Sequence, residues 1–177
     1  MHNQELLNNY FSNHWKTGNT RGITSPEEIS KYIKEDEWVL DVGCGENPFK
    51  KLLTNVVGID PAFSQADFRC TIEEYVPDRL FDVATCLGSI NFGGIETIEK
   101  QIDSVVACLK PKSRIYWRLN PGRHDHNNAE CAGIPFFPWS FEILRTFAEK
   151  HNYTQTLEEI DSHVSRPRLY AEWHRTS

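Results

Sequence analysis

Residues 39–48 read Val-Leu-Asp-Val-Gly-Cys-Gly-Glu-Asn-Pro, and this stretch decides the fold. Val39, Leu40 and Val42 are the side chains of a strand buried on both faces. Gly43 and Gly45 let the chain turn with positive φ and approach a ligand with no Cβ in the way. Asn47 is a candidate helix cap, and Pro48 suits the first helical position, where its missing N–H costs nothing. Strand, glycine turn and helix in that order make a nucleotide-type binding loop at the carboxyl end of a parallel strand.

Downstream, residues 55–60 (Asn-Val-Val-Gly-Ile-Asp) form a second buried strand that ends in an acid, Asp60. Residues 66–70 are a third, short strand and residues 81–87 a fourth, followed by the loop 88–94. Residues 95–109 carry Ile98, Ile102, Val105, Val106 and Leu109 at helical spacing. Lys110-Pro111-Lys112 is a turn, residues 113–119 a fifth strand and residues 120–138 a long loop. Ser140 caps a helix to about residue 151, and residues 154–160 and 169–174 are two last strands paired antiparallel. Upstream, Leu6, Leu7, Tyr10, Phe11 and Trp15 put a helical stripe on residues 4–15, and residues 16–24 are a polar loop. Ser25-Pro26-Glu27-Glu28 opens a second helix ending near residue 35, with Ser25 as cap, Glu28 as capping-box acid, and Ile29, Tyr32 and Ile33 inward. The organisation is one domain, residues 1–177, with an N-terminal helical segment (1–36) and a Rossmann-like core (37–177). Alternating strands and helices force an α/β fold with a parallel sheet and helices on both faces. The loops 43–48, 60–63, 70–72, 86–94 and 120–137 then gather on one rim, where such sheets bind ligands.

The 177 residues, 39% hydrophobic and 25% charged, suit a globular domain with a sizeable core. A net charge of −6 argues against a broad nucleic-acid footprint, which needs a basic face. The five cysteines show no CxxC or metal-type spacing and read as reduced thiols. The N-terminus lacks the pattern of a signal peptide, and no apolar run approaches the roughly 20 residues of a membrane span. A cytoplasmic protein is expected.

Asp60 follows Asp41 by 19 residues, at the end of the next strand. A carboxylate there accepts hydrogen bonds from ribose hydroxyls, in nicotinamide and S-adenosylmethionine sites alike. A pyrophosphate wants free N–H groups at a helix start, and Pro48 removes one. Asp41 and Glu46 repel a pyrophosphate but suit a ligand carrying a sulfonium and an ammonium.

With VLDVGCGENPF, VVGIDP, FDVATCLGSINFG and LKPKSRIYWRLNPG in that order, the chain resembles the class I S-adenosylmethionine-dependent methyltransferases over residues 38–175. Each phrase alone is weak, and the set is specific. The resemblance implies a three-layer fold with a seven-stranded sheet, mostly parallel, whose last strand is antiparallel. It also implies site roles. Asp41, Gly43, Cys44 and Gly45 would line the methionine part of the cofactor. Asp60 would hold the ribose, with Pro61 and Ala62 beside the adenine. Thr71 and Ile72, or else Asp67 and Phe68, would add the adenine contact after the third strand, the first pair being favoured. Leu87 and Gly88 would close over the sulfonium. The chain departs from the pattern at Glu46-Asn47-Pro48, where many members have another glycine.

A sulfonium is an activated donor, so the remaining task is to align the acceptor and exclude water. His124 and His126 are candidate general bases because their loop lies on the active rim. His124-Asp125-His126 as a metal site lacks a third ligand of matched spacing, and no metal is expected. Tyr10, His14 and Trp15 are either a lid or a stripe packed on the sheet edge. Phe136, Phe137 and Trp139 are either core or a wall of the acceptor pocket. A small-molecule acceptor is expected, because no target-recognition domain is visible. The alternatives are a methyltransferase for a protein or nucleic acid, a non-catalytic cofactor-binding module and, disfavoured by Pro48 and the acidic loop, a nicotinamide enzyme. Gly88-Ser89-Ile90-Asn91 lacks the Asn-Pro-Pro-aromatic signature of amino-methylating nucleic-acid enzymes. Oligomeric state is not encoded in any pattern of this sequence.

Overall fold

The computed structural model describes residues 3–15, 22–121, 133–162 and 167–176. Its elements are α1 (Asn3–Asn13), α2 (Pro26–Ser30), β1 (Val39–Val42), a 3-10 helix (Pro48–Lys51), β2 (Val56–Ile59), β3 (Phe81–Leu87), α3 (Ile95–Ala107), β4 (Leu109–Leu119), α4 (Phe141–Lys150), β5 (Thr154–Asp161) and β6 (Arg168–His174). The sheet order is β2-β1-β3-β4-β6-β5. β1 pairs in parallel with β2 and β3, and β3 with β4, while β6 lies antiparallel between β4 and β5. Strand order reverses at β1 and β3, which puts the ligand crevice beyond their carboxyl ends.

Among the described residues the sheet has six strands rather than seven. Residues 66–70 contribute one parallel bridge, Ile59 to Phe68. Asp67 is the reason. Its Oδ2 accepts the Gly58 N–H at 2.9 Å, in the place of a strand carbonyl. A short polar side chain that satisfies the edge itself ends the ladder there.

Three more expectations are corrected. Lys110-Pro111-Lys112 is not a turn between elements but lies within β4. Phe81 pairs with Leu109 and Val83 with Arg114, so the extra residues bulge out, which is where a strand tolerates proline. The second helix is only five residues long, and Tyr32 is 68% exposed rather than inward. Ser25 does cap it by accepting the Glu28 N–H, but the capping box is half formed. The Ser25 N–H donates to the Gly22 carbonyl, and Glu28 pairs with Lys31 at 2.6 Å.

One face of the sheet packs Leu40, Ile115, Trp117 and Trp173 against α3 (Ile98, Ile102, Val105) and α4 (Leu144, Phe147). The other packs Val39, Val83, Tyr116 and Tyr170 against Ile29, Ile33 and Phe49. α1 builds a third cluster, Tyr10 with Phe92 and Ile134. Phe137 and Trp139 belong to the core. Glu37 clamps Arg114 with two hydrogen bonds of 2.9 and 2.8 Å below the strands. The Thr24 hydroxyl bonds buried Asp161, tying the segment before α2 to the last hairpin. No helix among the described residues is long and apolar enough to cross a membrane. Cys44, Cys70, Cys86 and Cys108 are free thiols.

Asn91 locks the rim. Buried, it donates to the Gly88 carbonyl at 2.9 Å and accepts the Asn120 N–H at 2.9 Å, so one amide joins the ends of β3 and β4. Replacing it with alanine leaves both backbone groups without their partner. Asn91→Ala is expected to lower unfolding free energy by about 2 kcal/mol in urea denaturation; a change below about 0.5 kcal/mol would show that the joint is dispensable.

Candidate functional site

Beyond the carboxyl ends of the parallel strands lies a cavity of about 720 Å³. That is room for a ligand of drug size. The residues that shape it come from the turn after β1, the turn after β2, the loop after β3, the end of β4 and α1.

The turn after β1 is left-handed at three positions: Gly43 (φ 70°), Gly45 (φ 54°) and Asn47 (φ 56°). The Gly43 and Cys44 N–H groups both donate to the Ile59 carbonyl, which folds the turn back on β2. A Cβ on Gly43 would come within 2.3 Å of the Ser89 Cβ, so this glycine is required for two reasons. A Cβ on Gly45 would meet no atom within 4 Å, because that side faces the open cavity. Asn47 stands at the N-cap position of the 3-10 helix, as expected from sequence, but its side chain makes no capping hydrogen bond. It takes the left-handed conformation that asparagine tolerates best among residues with side chains, and its amide donates to the Gln65 carbonyl at 3.2 Å and to Asp67 at 3.3 Å. It does a glycine's backbone task and adds a tie to the next loop.

Two carboxylates stand on either side of this turn. Asp41 is buried on β1 and accepts the Thr85 hydroxyl at 2.7 Å. Burial pushes its carboxyl up to about 7; the Thr85 bond opposes this, the nearby Asp60 charge adds to it, and Arg118 opposes it. Asp60 ends β2. Its Oδ2 accepts the Gly45 N–H at 3.0 Å, and its Oδ1 accepts the Ala62 and Phe63 N–H groups at 2.8 and 3.1 Å. Asp60 thus braces both turns, as a purely structural aspartate would. Three of about four acceptor positions on a carboxylate are used, and one remains for a ligand. Burial, then the Asp41, Asp60 and Asp67 charges, pushes the Cys44 thiol far above its usual range, so it is a wall and not a nucleophile.

At the other end the cavity meets Arg118 and Arg168, and α1 with the two residues after it roofs it through Leu7, Tyr10, Phe11, His14 and Trp15. The roof is held by Ser12, whose hydroxyl donates to the Ala62 carbonyl at 3.2 Å. Edge contacts of Phe11 with Phe92 and of Trp15 with Phe63 add to it. Of the two readings of the N-terminal stripe, this is the covering one.

All eleven residues expected at a cofactor border this one cavity: Asp41, Gly43, Cys44, Gly45, Asp60, Pro61, Ala62, Thr71, Ile72, Leu87 and Gly88. Asp67 and Phe68, the alternative adenine pair, do not; Asp67 is bound to Lys50 and Gly58 instead. Phe137 and Trp139 do not reach the cavity either. His124 and His126, the candidate bases, lie outside the described residues. Among the described residues no group of three potential metal ligands exists. Sequence reading missed Arg118, Arg168, Ser89 and Gln101. Arg118 had a visible mark, a cation at an interior position of a strand otherwise apolar, Ile-Tyr-Trp-Arg-Leu. The others had none.

The fold has many solved counterparts. The Burkholderia thailandensis 1,6-didemethyltoxoflavin-N1-methyltransferase, solved with its acceptor and S-adenosylhomocysteine, superposes with TM-score 0.74 at 13% identity over 99% of this chain and 87% of that one. Magnesium protoporphyrin IX methyltransferase from Synechocystis, solved with S-adenosylmethionine, gives 0.73 at 12% identity over 99% and 98%. The N-methyltransferase NodS of Bradyrhizobium japonicum, with S-adenosylhomocysteine, gives TM-score 0.68 at 15% identity over 98% and 98%. No protein-family model matches the sequence, and no curated protein does. The chain therefore has the Rossmann-like fold of the class I S-adenosylmethionine-dependent methyltransferases, with one strand fewer among its described residues.

Two outcomes test this geometry. Gly43→Ala meets both an unfavourable φ and the Ser89 Cβ, whereas Gly45→Ala meets only the φ. Gly43→Ala is expected to be the more destabilising by at least about 1 kcal/mol in denaturant titration, and equal effects would contradict the contact. Asp41 has a raised carboxyl, so between about pH 4 and 7 the folded chain holds a proton there that the unfolded chain has lost. Its contribution to stability therefore falls as pH rises through that window, with a limiting slope of about 1.4 kcal/mol per pH unit. Asp41→Asn should flatten the profile, and parallel profiles for the two proteins would contradict a raised Asp41.

Proposed function

We propose that the chain transfers a methyl group from S-adenosylmethionine to a small-molecule acceptor. The observation that carries this reading is the acidic glycine turn. Gly43 and Gly45, both left-handed, lie between the buried carboxyls of Asp41 and Asp60 at the edge of a large cavity. The residues suit the cofactor by their chemistry. The open side of Gly45 gives backbone approach, and Asp60 keeps an acceptor position for a ribose hydroxyl. Asp41 and Asp60 attract a ligand with a sulfonium and an ammonium.

S-adenosylmethionine supplies an activated methyl group when bound. The protein's part is positioning and dryness. Asp60 holds the ribose, with Pro61, Ala62, Thr71 and Ile72 around the adenine. Gly43, Cys44, Gly45, Leu87 and Gly88 enclose the methionine and sulfonium end. Tyr10, Phe11 and Trp15 exclude water from above. An acceptor that carries a proton at neutral pH needs a base, and His124 and His126 are the residues proposed for it. The small-molecule reading is supported by the acidic chain and by neighbours of the same fold that methylate 1,6-didemethyltoxoflavin and magnesium protoporphyrin IX.

S-adenosylhomocysteine at about 100 times its dissociation constant should add roughly 2.7 kcal/mol of stability, or about 5–10 °C in melting temperature, and NAD none. Asp60→Ala should lose most of that gain and also melt lower than the parent, because three backbone N–H groups lose their acceptor. Stabilisation by NAD in place of S-adenosylhomocysteine would overturn the reading.

A further inference from the structure

The cavity is polar in two opposite senses along the sheet. At the β2 and β1 end stand the Asp60 and Asp41 carboxyls; at the β4 and β6 end stand Arg118 and Arg168. The register explains the basic end. Arg118 pairs with Leu87 of β3 on one side and Tyr170 of β6 on the other. Arg168 is two residues from Tyr170, so its side chain leaves the same face. Asp161 lies opposite Arg168 in the β5 and β6 register, and its carboxylate accepts the Thr24 hydroxyl.

Arg118 is the less compensated cation. It is half-buried, and its Nη2 donates to the Leu87 carbonyl at 2.5 Å. Among the described residues no carboxylate lies within ion-pair distance of it. A guanidinium carries five N–H donors, and a carbonyl satisfies one without neutralising the charge. Burial, with the Arg168 charge beside it, pulls its pKa down to about 10 against the opposing Asp161 and Asp41 charges, so the group is still a cation at neutral pH. A half-buried cation facing a ligand cavity is partly desolvated, and an anion that meets it there offsets that cost. The planar fork suits a carboxylate or phosphate.

We infer that the β4 and β6 end of the cavity receives an oxyanion group of the methyl acceptor, with Arg118 as its main ligand and Arg168 as a supporting charge. This rests on the methyltransferase reading, because the acidic end is then taken by the cationic cofactor. The accepted substrates are small acids, and their neutral amides are excluded. The one rival source of the same chemistry is the cofactor's own carboxylate, since a Cβ on Gly88 would lie 3.5 Å from the Arg118 Nη2.

The test titrates the S-adenosylhomocysteine complex with 4-hydroxybenzoate and phenyl phosphate, and with 4-hydroxybenzamide as the neutral control. Calorimetry and the arginine Nε–H resonances are followed in low-chloride buffer. At least one oxyanion should bind saturably and shift one arginine resonance that is missing in Arg118→Met, and the amide should not. Arg118→Met and Arg118→Lys should each weaken the oxyanion about ten-fold or more, with S-adenosylhomocysteine affinity within about two-fold. Arg118→Lys keeps the charge and guards against loss of folding. Equal binding of acid and amide, or no oxyanion binding, overturns the inference. So does a ten-fold loss of S-adenosylhomocysteine affinity in both variants, which would assign Arg118 to the cofactor carboxylate. Failure of the parent protein to bind S-adenosylhomocysteine counts against the methyltransferase reading, and the same titration of the free protein then still decides the anion site.

Discussion

A carboxyl group buried in the middle of a parallel sheet sets the constraint that the rest of this molecule answers. Asp41 lies on β1, an interior strand, on the face shared by Val39, Thr85 and Leu87, and one hydroxyl bond from Thr85 is its satisfaction from within the sheet. A neutral residue there would pack more cheaply. Its presence at the point where strand order reverses gives the cavity an acidic end. The neighbouring Asp60 reinforces that end while holding three backbone N–H groups that define both adjoining turns. Binding potential and local architecture are therefore carried by the same atoms.

Side chains repeatedly take over tasks that the backbone performs elsewhere. Asn47 supplies a left-handed residue where a glycine would serve, and Asp67 supplies an acceptor to Gly58 where a third strand would offer a carbonyl. The two meet at 3.3 Å, and Lys50 closes the group on Asp67. This small network replaces an edge strand. It ends the sheet with polar side chains, a device that also blunts an edge against pairing with another chain.

The roof has a different physical character from the floor. An isolated helix of 11 residues is marginal in water. α1 is held by aromatic edges, the Tyr10 cluster and the Ser12 bond to the Ala62 carbonyl. The floor is tied instead by the strand ladders and by Asn91.

What the sequence determined by itself follows from local chemistry. The buried strands, the glycine turn, the acid 19 residues on and the Ser140 cap are set by residue type and spacing, and all are present in the fold. Ranges failed where a side chain competed with the backbone: Asp67 against a third strand, Ser25 and Glu28 against a full capping box, Pro111 against a turn. The aromatic residues near 137–139 carried no mark of which side they would face, and only packing buried Phe137 and Trp139 away from the cavity. The tertiary structure alone decided that α1 covers the site and that Arg118 and Arg168, 50 residues apart in the chain, line one cavity with Asp41. Strand order brings those residues together, and strand order depends on which elements pack across the whole chain, a property no local pattern contains.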